Sequence, residues 1–103
     1  MSRRLDNHYV YRLIPPRPAF HDDMNDEEKA IMARHAAYWG ELIEQGGVVV
    51  YGPVVDRTGS WGLGVIRAAD EQGARRLAEA DPAISSGMAT FELGTMLVAV
   101  VPD

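Results

Sequence analysis

Two stretches of this chain, VVVYGPVV (residues 48–55) and MLVAVV (residues 96–101), are almost unbroken runs of apolar residues. A strand with one face in water alternates apolar and polar side chains. An unbroken run belongs to a strand covered on both faces. A chain with such strands must therefore find a cover for each side of a sheet.

The remaining pattern supplies one of those covers. His8 to Ile14, HYVYRLI, is rich in aromatic and β-branched residues and reads as the first strand. Pro15, Pro16 and Pro18 end it, and PPRPAFHDDMN follows as a long irregular loop. Phe20, His21 and Met24 are unusual in a solvated linker, and loops of this length more often act as functional lids than as spacers. Asn25 and Glu28 form a capping-box pattern, which starts a helix over Asp26–Gln45 that Gly46-Gly47 stops. At 100° per residue, Tyr38, Ile31, Leu42, His35, Trp39, Met32 and Ile43 share one face of that helix.

The segments VVVYGPVV and WGLGVIR, joined by Asp56-Arg57-Thr58-Gly59, read as a hairpin, with a bulge expected at Gly52-Pro53. Gly62 and Gly64 fall on one face of its second arm and invite close approach of another element. A second helix spans Glu71–Ala80 with Asp70 as N-cap, and Pro82 forces Asp81 out of helical geometry. The last strand runs over Ala89–Val101. The order βαββαβ predicts one α+β domain over residues 1–103 of ferredoxin-like type: a four-stranded antiparallel sheet with two helices on one face. Two helices cover one side only. The second cover is expected from another copy of the chain, in a C2 dimer.

Composition narrows the function classes. Ten basic against 15 acidic residues give a net charge of −5, which disfavours nucleic acid and anionic membranes as partners. No cysteine is present, so disulfides, thiolate metal sites and thiol nucleophiles are excluded. No apolar run approaches the roughly 18 residues of a membrane span, and no secretory signal is visible, so a cytoplasmic location is expected. Surface scaling for this length gives a folded area of about 5,700 Å², enough burial for a core without staples. Nucleophile elbows, phosphate loops, dinucleotide fingerprints and HExxH are absent. His21-Asp22-Asp23 reads as a solvated stretch rather than a metal site, and neither metal nor cofactor is expected.

Chemistry concentrates on two residues. His35 sits in the middle of the apolar face of the first helix, where an imidazole needs partners for its ring nitrogens. Asp81 continues the buried face of the second helix, seven residues beyond Ala74, and a buried carboxylate is costly unless paired. The joint solution is a hydrogen bond between them. It would fix the imidazole tautomer and make the other nitrogen a better base. Either residue taken alone has a structural reading, a satisfied core histidine or a helix-terminal carboxylate.

The helix segment EKAIMARHAAYW that bears His35, GPVVD after VVVY, WGLGVI, and Asp81-Pro82 followed by a glycine together resemble the YCII-related family. The resemblance covers nearly the whole chain. It implies a ferredoxin-like subunit of a dimeric α/β barrel, with a His–Asp dyad beside a pocket, mapped here onto His35 and Asp81. Relatives sharing that barrel include muconolactone isomerases and cofactor-free or haem-dependent monooxygenases, and one branch looks like a dehydrochlorinase of chloroaromatic degradation. Gly52 and Pro53 match the family's GP segment and would form a pocket wall. The PPRPAFHDDM loop is longer than in the smallest members and would reshape the pocket mouth. Tyr38 and Trp39 are candidates to stack on a flat ligand. Ser85 and Ser86 are candidates to donate to an anion, and Arg12 to hold a carboxylate or pair with an acid.

These readings predict a small cofactor-independent enzyme of lyase or isomerase type. In it His35 moves a proton on a small cyclic or aromatic metabolite, while Asp81 orients the imidazole. The rival is a non-catalytic dimer that binds a small molecule or a partner and keeps the pair for structure. A haem-binding variant is a minor third.

Overall fold

The computed structural model describes residues 1–103. In chain order the elements are β1 (Ser2–Leu5), β2 (His8–Ile14), α1 (Phe20–Asp23), α2 (Asp26–Glu44), β3 (Val48–Asp56) and β4 (Gly59–Arg67). They continue with α3 (Glu71–Glu79), α4 (Pro82–Ser85), β5 (Thr90–Thr95) and β6 (Ala99–Pro102). The fold is α+β. Its main sheet has four antiparallel strands in the order β3-β4-β2-β5.

Local chemistry sets the helix bounds. Asn25 accepts from the Glu28 N–H at 2.8 Å while its own N–H donates to the Glu28 carboxylate at 2.9 Å, so both orphan donors are satisfied. At the other end Gly46 N–H donates to Ile43 and Gly47 N–H to Leu42, the paired bonds of a Schellman stop. Helix α3 is capped by Asp70, which accepts from Gly73 N–H at 2.8 Å.

Alternate residues of β2 (Tyr9, Tyr11 and Leu13) pack in one core with Ile31 and Trp39 of α2 and Ala74 and Ala78 of α3. Both long helices therefore lie on one face of the sheet. A Cβ added at Gly64 would lie 3.3 Å from the Tyr11 ring and 3.4 Å from the Trp39 ring. The absent side chain lets the Trp39 indole settle against the strand.

Two expectations need correction. The last strand is not continuous from Ala89 to Val101: β5 pairs with β2 up to Thr95, and β6 then pairs with β1 in a separate two-stranded ribbon. The cause lies next to it, where Asn7 takes a positive φ of 60° just before β2 and turns the chain out of the sheet. The neighbouring strand leaves with it, and Met96 N–H bonds His8 C=O at 3.0 Å at the branch point. Second, pairing runs regularly through Gly52↔Leu63 and Pro53↔Gly62, and the irregularity falls between Val48 and Val50. Proline is tolerated there because β3 is an edge strand. Within one chain the apolar runs stay partly open, with Leu97 96% exposed and Val50 47%. The accessible area of 6383 Å² exceeds the scaling value accordingly.

Candidate functional site

Asp81 follows α3 and begins α4. With Pro82 at the first helical position, its side chain caps the short helix by accepting from Ala83 N–H at 2.9 Å. This explains why a carboxylate can stand here with no exposure at all. Three more donors converge on it: Tyr11 Oη at 2.7 Å, Trp39 Nε1 at 2.8 Å and His35 Nδ1 at 2.8 Å. Four donors from three elements, β2, α2 and α4, thus meet at one side chain. Burial alone pushes the Asp81 carboxyl up, but the hydrogen bonds from His35, Tyr11 and Trp39 outweigh it and hold the group below the ordinary carboxylate range. Burial, reinforced by the bond to Asp81, raises the Tyr11 phenol, so Tyr11 acts as a neutral donor.

Because Asp81 is an acceptor only, the His35 Nδ1 carries the proton in this contact, and Nε2 of a neutral ring keeps its lone pair. Nε2 makes no hydrogen bond within the chain. The ring, 15% exposed, lines a cavity of about 320 Å³ between α2, the β3–β4 hairpin and the segment after β2. That volume lies at the low end of the roughly 300–1,000 Å³ range of small-molecule sites. Aromatic rings form much of the wall: Tyr11, Phe20, Trp39 and Tyr51. The Trp61 ring turns to the other face of the sheet, where it stacks with Arg12 and its Nε1 donates to Asp56 Oδ2 at 3.0 Å.

The segment between β2 and α2 roofs this cavity through Pro15, Phe20, His21 and Met24. It is fastened at two points. Arg17 spans the Glu28 carboxylate with two bonds of 2.7 and 2.8 Å and bonds Asp23 Oδ1 at 2.8 Å. The Arg17 bonds, with the Asn25 N–H second, lower the Glu28 carboxyl to about 2. On the opposite side Ser60 N–H donates to Pro18 C=O at 3.0 Å. Gly59, with φ of 123°, sits so near Pro18 that a Cβ would come within 2.6 Å of it.

The expected site residues separate into two groups. His35, Trp39, Gly52 and Pro53 line the cavity, and Asp81 stands behind His35. Tyr38, Ser85 and Arg12 do not line it. The Tyr38 hydroxyl donates to Leu77 C=O at 2.6 Å, tying α2 to α3 as a core contact. Ser85 and Ser86 are exposed on and after α4, beyond the carboxylate rather than beside the cavity. Arg12 stacks over Trp61 at 4.2 Å and faces Glu92 at 3.9 Å. Alternation along β2 turns it away from Tyr11 and Leu13.

Residues not anticipated as site components include Tyr11, Met32, Tyr51 and Ser60 on the elements, and Pro15 on the roof. Tyr11 had a signal, since YVYRL sends Tyr9, Tyr11 and Leu13 to one face. The partner of its hydroxyl, 70 residues away, had none. No group of three or more His, Asp or Glu side chains is set to hold a metal.

Comparison with known proteins adds two findings. The sequence model of the YCII-related domain matches residues 9–95. Among solved structures the chain is similar to SnoaB from Streptomyces nogalater, described as a cofactor-independent oxygenase. The identity is 23% and the TM-score 0.44, over 86% of this chain and 88% of that one. No curated protein matches the sequence significantly.

Proposed function

The chain belongs to the YCII-related domain family, and from that premise we propose that it is a small cofactor-independent enzyme of the lyase or isomerase type. His35 Nε2 takes a proton from a small cyclic or aromatic metabolite and returns it elsewhere, and Asp81 stabilises the imidazolium in between. One observation carries the reading: the imidazole is held at Nδ1 by a buried carboxylate while its other nitrogen, free of partners, belongs to a ring that lines a cavity. A tuned base and a positioned substrate are sufficient for chemistry of this kind. Gly52, Pro53 and Trp39 form the wall against which the ring is positioned.

The same proposal includes a single ferredoxin-like domain that pairs with a second copy through the sheet face opposite the helices, and a cytoplasmic setting. Support for pairing comes from Val50, which pairs with Val65 on the face away from Tyr11 and is 47% exposed. No helix is long and apolar enough to cross a membrane.

The test is exchange of substrate hydrogen. Cyclic enolisable compounds (lactones, cyclic enones, hydroxyquinones) are incubated with the protein in D₂O, and deuterium uptake is followed by mass spectrometry. Wild type is expected to accelerate uptake into at least one of them, and His35→Gln, shown folded by circular dichroism, to lose the acceleration 10²–10⁴-fold. Equal rates for the two proteins would exclude His35 as the base.

One observation favours the non-catalytic reading: Asp81 accepts four hydrogen bonds from three elements and has a structural task whatever His35 does. Loss of stability on changing Asp81 therefore does not separate the readings. His35 does, because its ring contributes one bond to the hub. A merely structural His35 predicts a large fall in stability on His35→Gln; a catalytic one predicts a small fall with loss of exchange.

A further inference from the structure

The cavity's polarity is more selective than its shape. Of the 17 residues that line it, none is arginine, lysine, aspartate or glutamate. Its ionisable side chains are the two histidines, His35 from α2 and His21 from the roof, and the phenols of Tyr11 and Tyr51. The charge nearest the His35 ring is the Asp81 carboxylate on its far side, 2.8 Å from Nδ1. The arginines near the site are engaged outside it, Arg17 with Asp23 and Glu28 and Arg12 with Glu92 and the Trp61 ring.

An anionic ligand entering here would lose its hydration and meet no permanent cation, which is unfavourable. Both lining imidazoles already stand beside a carboxylate, His35 at Asp81 and His21 at Asp22. The Asp81 charge behind the imidazole adds repulsion. Hydrogen-bond direction is equally definite. With Nδ1–H committed to Asp81, the neutral imidazole offers Nε2 as an acceptor, so the complementary ligand group is a donor. The aromatic wall favours a flat ring over a flexible chain.

We infer that the cavity takes an uncharged, flat ring compound bearing a hydroxyl or N–H that donates to His35 Nε2, and that it rejects carboxylates of the same shape. This rests on the acid–base reading of His35 given above and narrows it: the proton removed is carried by, or conjugated with, that donor group. Ring acids would be substrates only after the acid is masked or lost.

Wild-type protein and three matched probes test the inference: 2-naphthol, 2-methoxynaphthalene and 2-naphthoate. Trp39 supplies an indole N–H signal at the cavity wall, read in ¹⁵N–¹H correlation spectra at pH 7.5. Naphthol is expected to shift that signal and to bind at least tenfold more tightly than naphthoate. The methoxy compound, equal in shape but without the donor, is expected to lie between them. Naphthoate binding as well as or better than naphthol would overturn the charge rule, and methoxynaphthalene equal to naphthol would overturn the donor rule. Either result leaves the exchange test on His35 standing. If no probe moves the Trp39 indole signal, the inference fails together with the reading of the cavity as a ligand site.

Discussion

His8 and His35 are both held at Nδ1 by an oxygen, the Asp6 carbonyl at 2.7 Å in one and the Asp81 carboxylate at 2.8 Å in the other. Their second nitrogens differ. His8 is 2% exposed and its buried Nε2 has no partner in the chain, so that nitrogen is a net cost to the fold. The His35 ring reaches a cavity, where a free nitrogen costs little and is available to a ligand. The pair shows that one-sided satisfaction of an imidazole is not itself a sign of function. What matters is the medium that the other nitrogen meets.

The contrast can be attacked at several points. The largest effect is expected at Asp81, where Asp81→Asn places an amide donor against existing donors. Breaking a buried, hydrogen-bonded charge typically costs about 3–5 kcal/mol, measurable by urea denaturation, and His35 should lose its fixed orientation with it. Next, His35→Gln should lower stability by only about 1 kcal/mol, the worth of one exchanged hydrogen bond. A loss near that of Asp81→Asn would erase the distinction between the two histidines. His8→Leu should act in the opposite sense. It forfeits one modest bond but removes an unsatisfied buried acceptor, for a net gain of about 1 kcal/mol, with naphthol binding unchanged.

The smallest effect concerns the roof. Glu28 is held down at about 2 from an ordinary 4.5, so its contribution is present above the unfolded value and fades as pH falls from about 4.5 toward 2. Limited proteolysis near Phe20 should rise across that window in wild type. In Glu28→Gln it should be raised already at neutral pH and flat with acidification. An identical pH profile in the two proteins would show that the clasp does not hold the segment.

Much of this arrangement is legible in local pattern. The Asn25–Glu28 cap, the face of α2 that bears His35 and Trp39, and the exit of Asp81 before Pro82 are all short-range consequences of residue type. They bring imidazole and carboxylate to one side of the sheet. What escapes the sequence is long-range choice. Nothing local says that the Tyr11 hydroxyl and the Trp39 indole N–H both turn to Asp81, or that Tyr38, one residue away on the same face, turns to Leu77 instead. The divided last strand escapes for a related reason, since its break follows Asn7, in the bend between β1 and β2, rather than any residue of MLVAVV. The long proline-rich loop carries Phe20 and Met24 as a visible hint, but only the pairing of Arg17 with Glu28 determines that it folds over the cavity.

The β1–β6 ribbon has a practical consequence for protein engineering. Its antiparallel register sets Ser2 opposite Pro102, and the amide of Asp103 lies 3.4 Å from the Met1 carbonyl oxygen. A few glycines would suffice to close the backbone into a ring there, and new ends could be cut at the tight Arg57-Thr58 turn. Such a circular permutant would keep every side chain around Asp81 while cutting the covalent link between the two arms of the hairpin that walls the cavity.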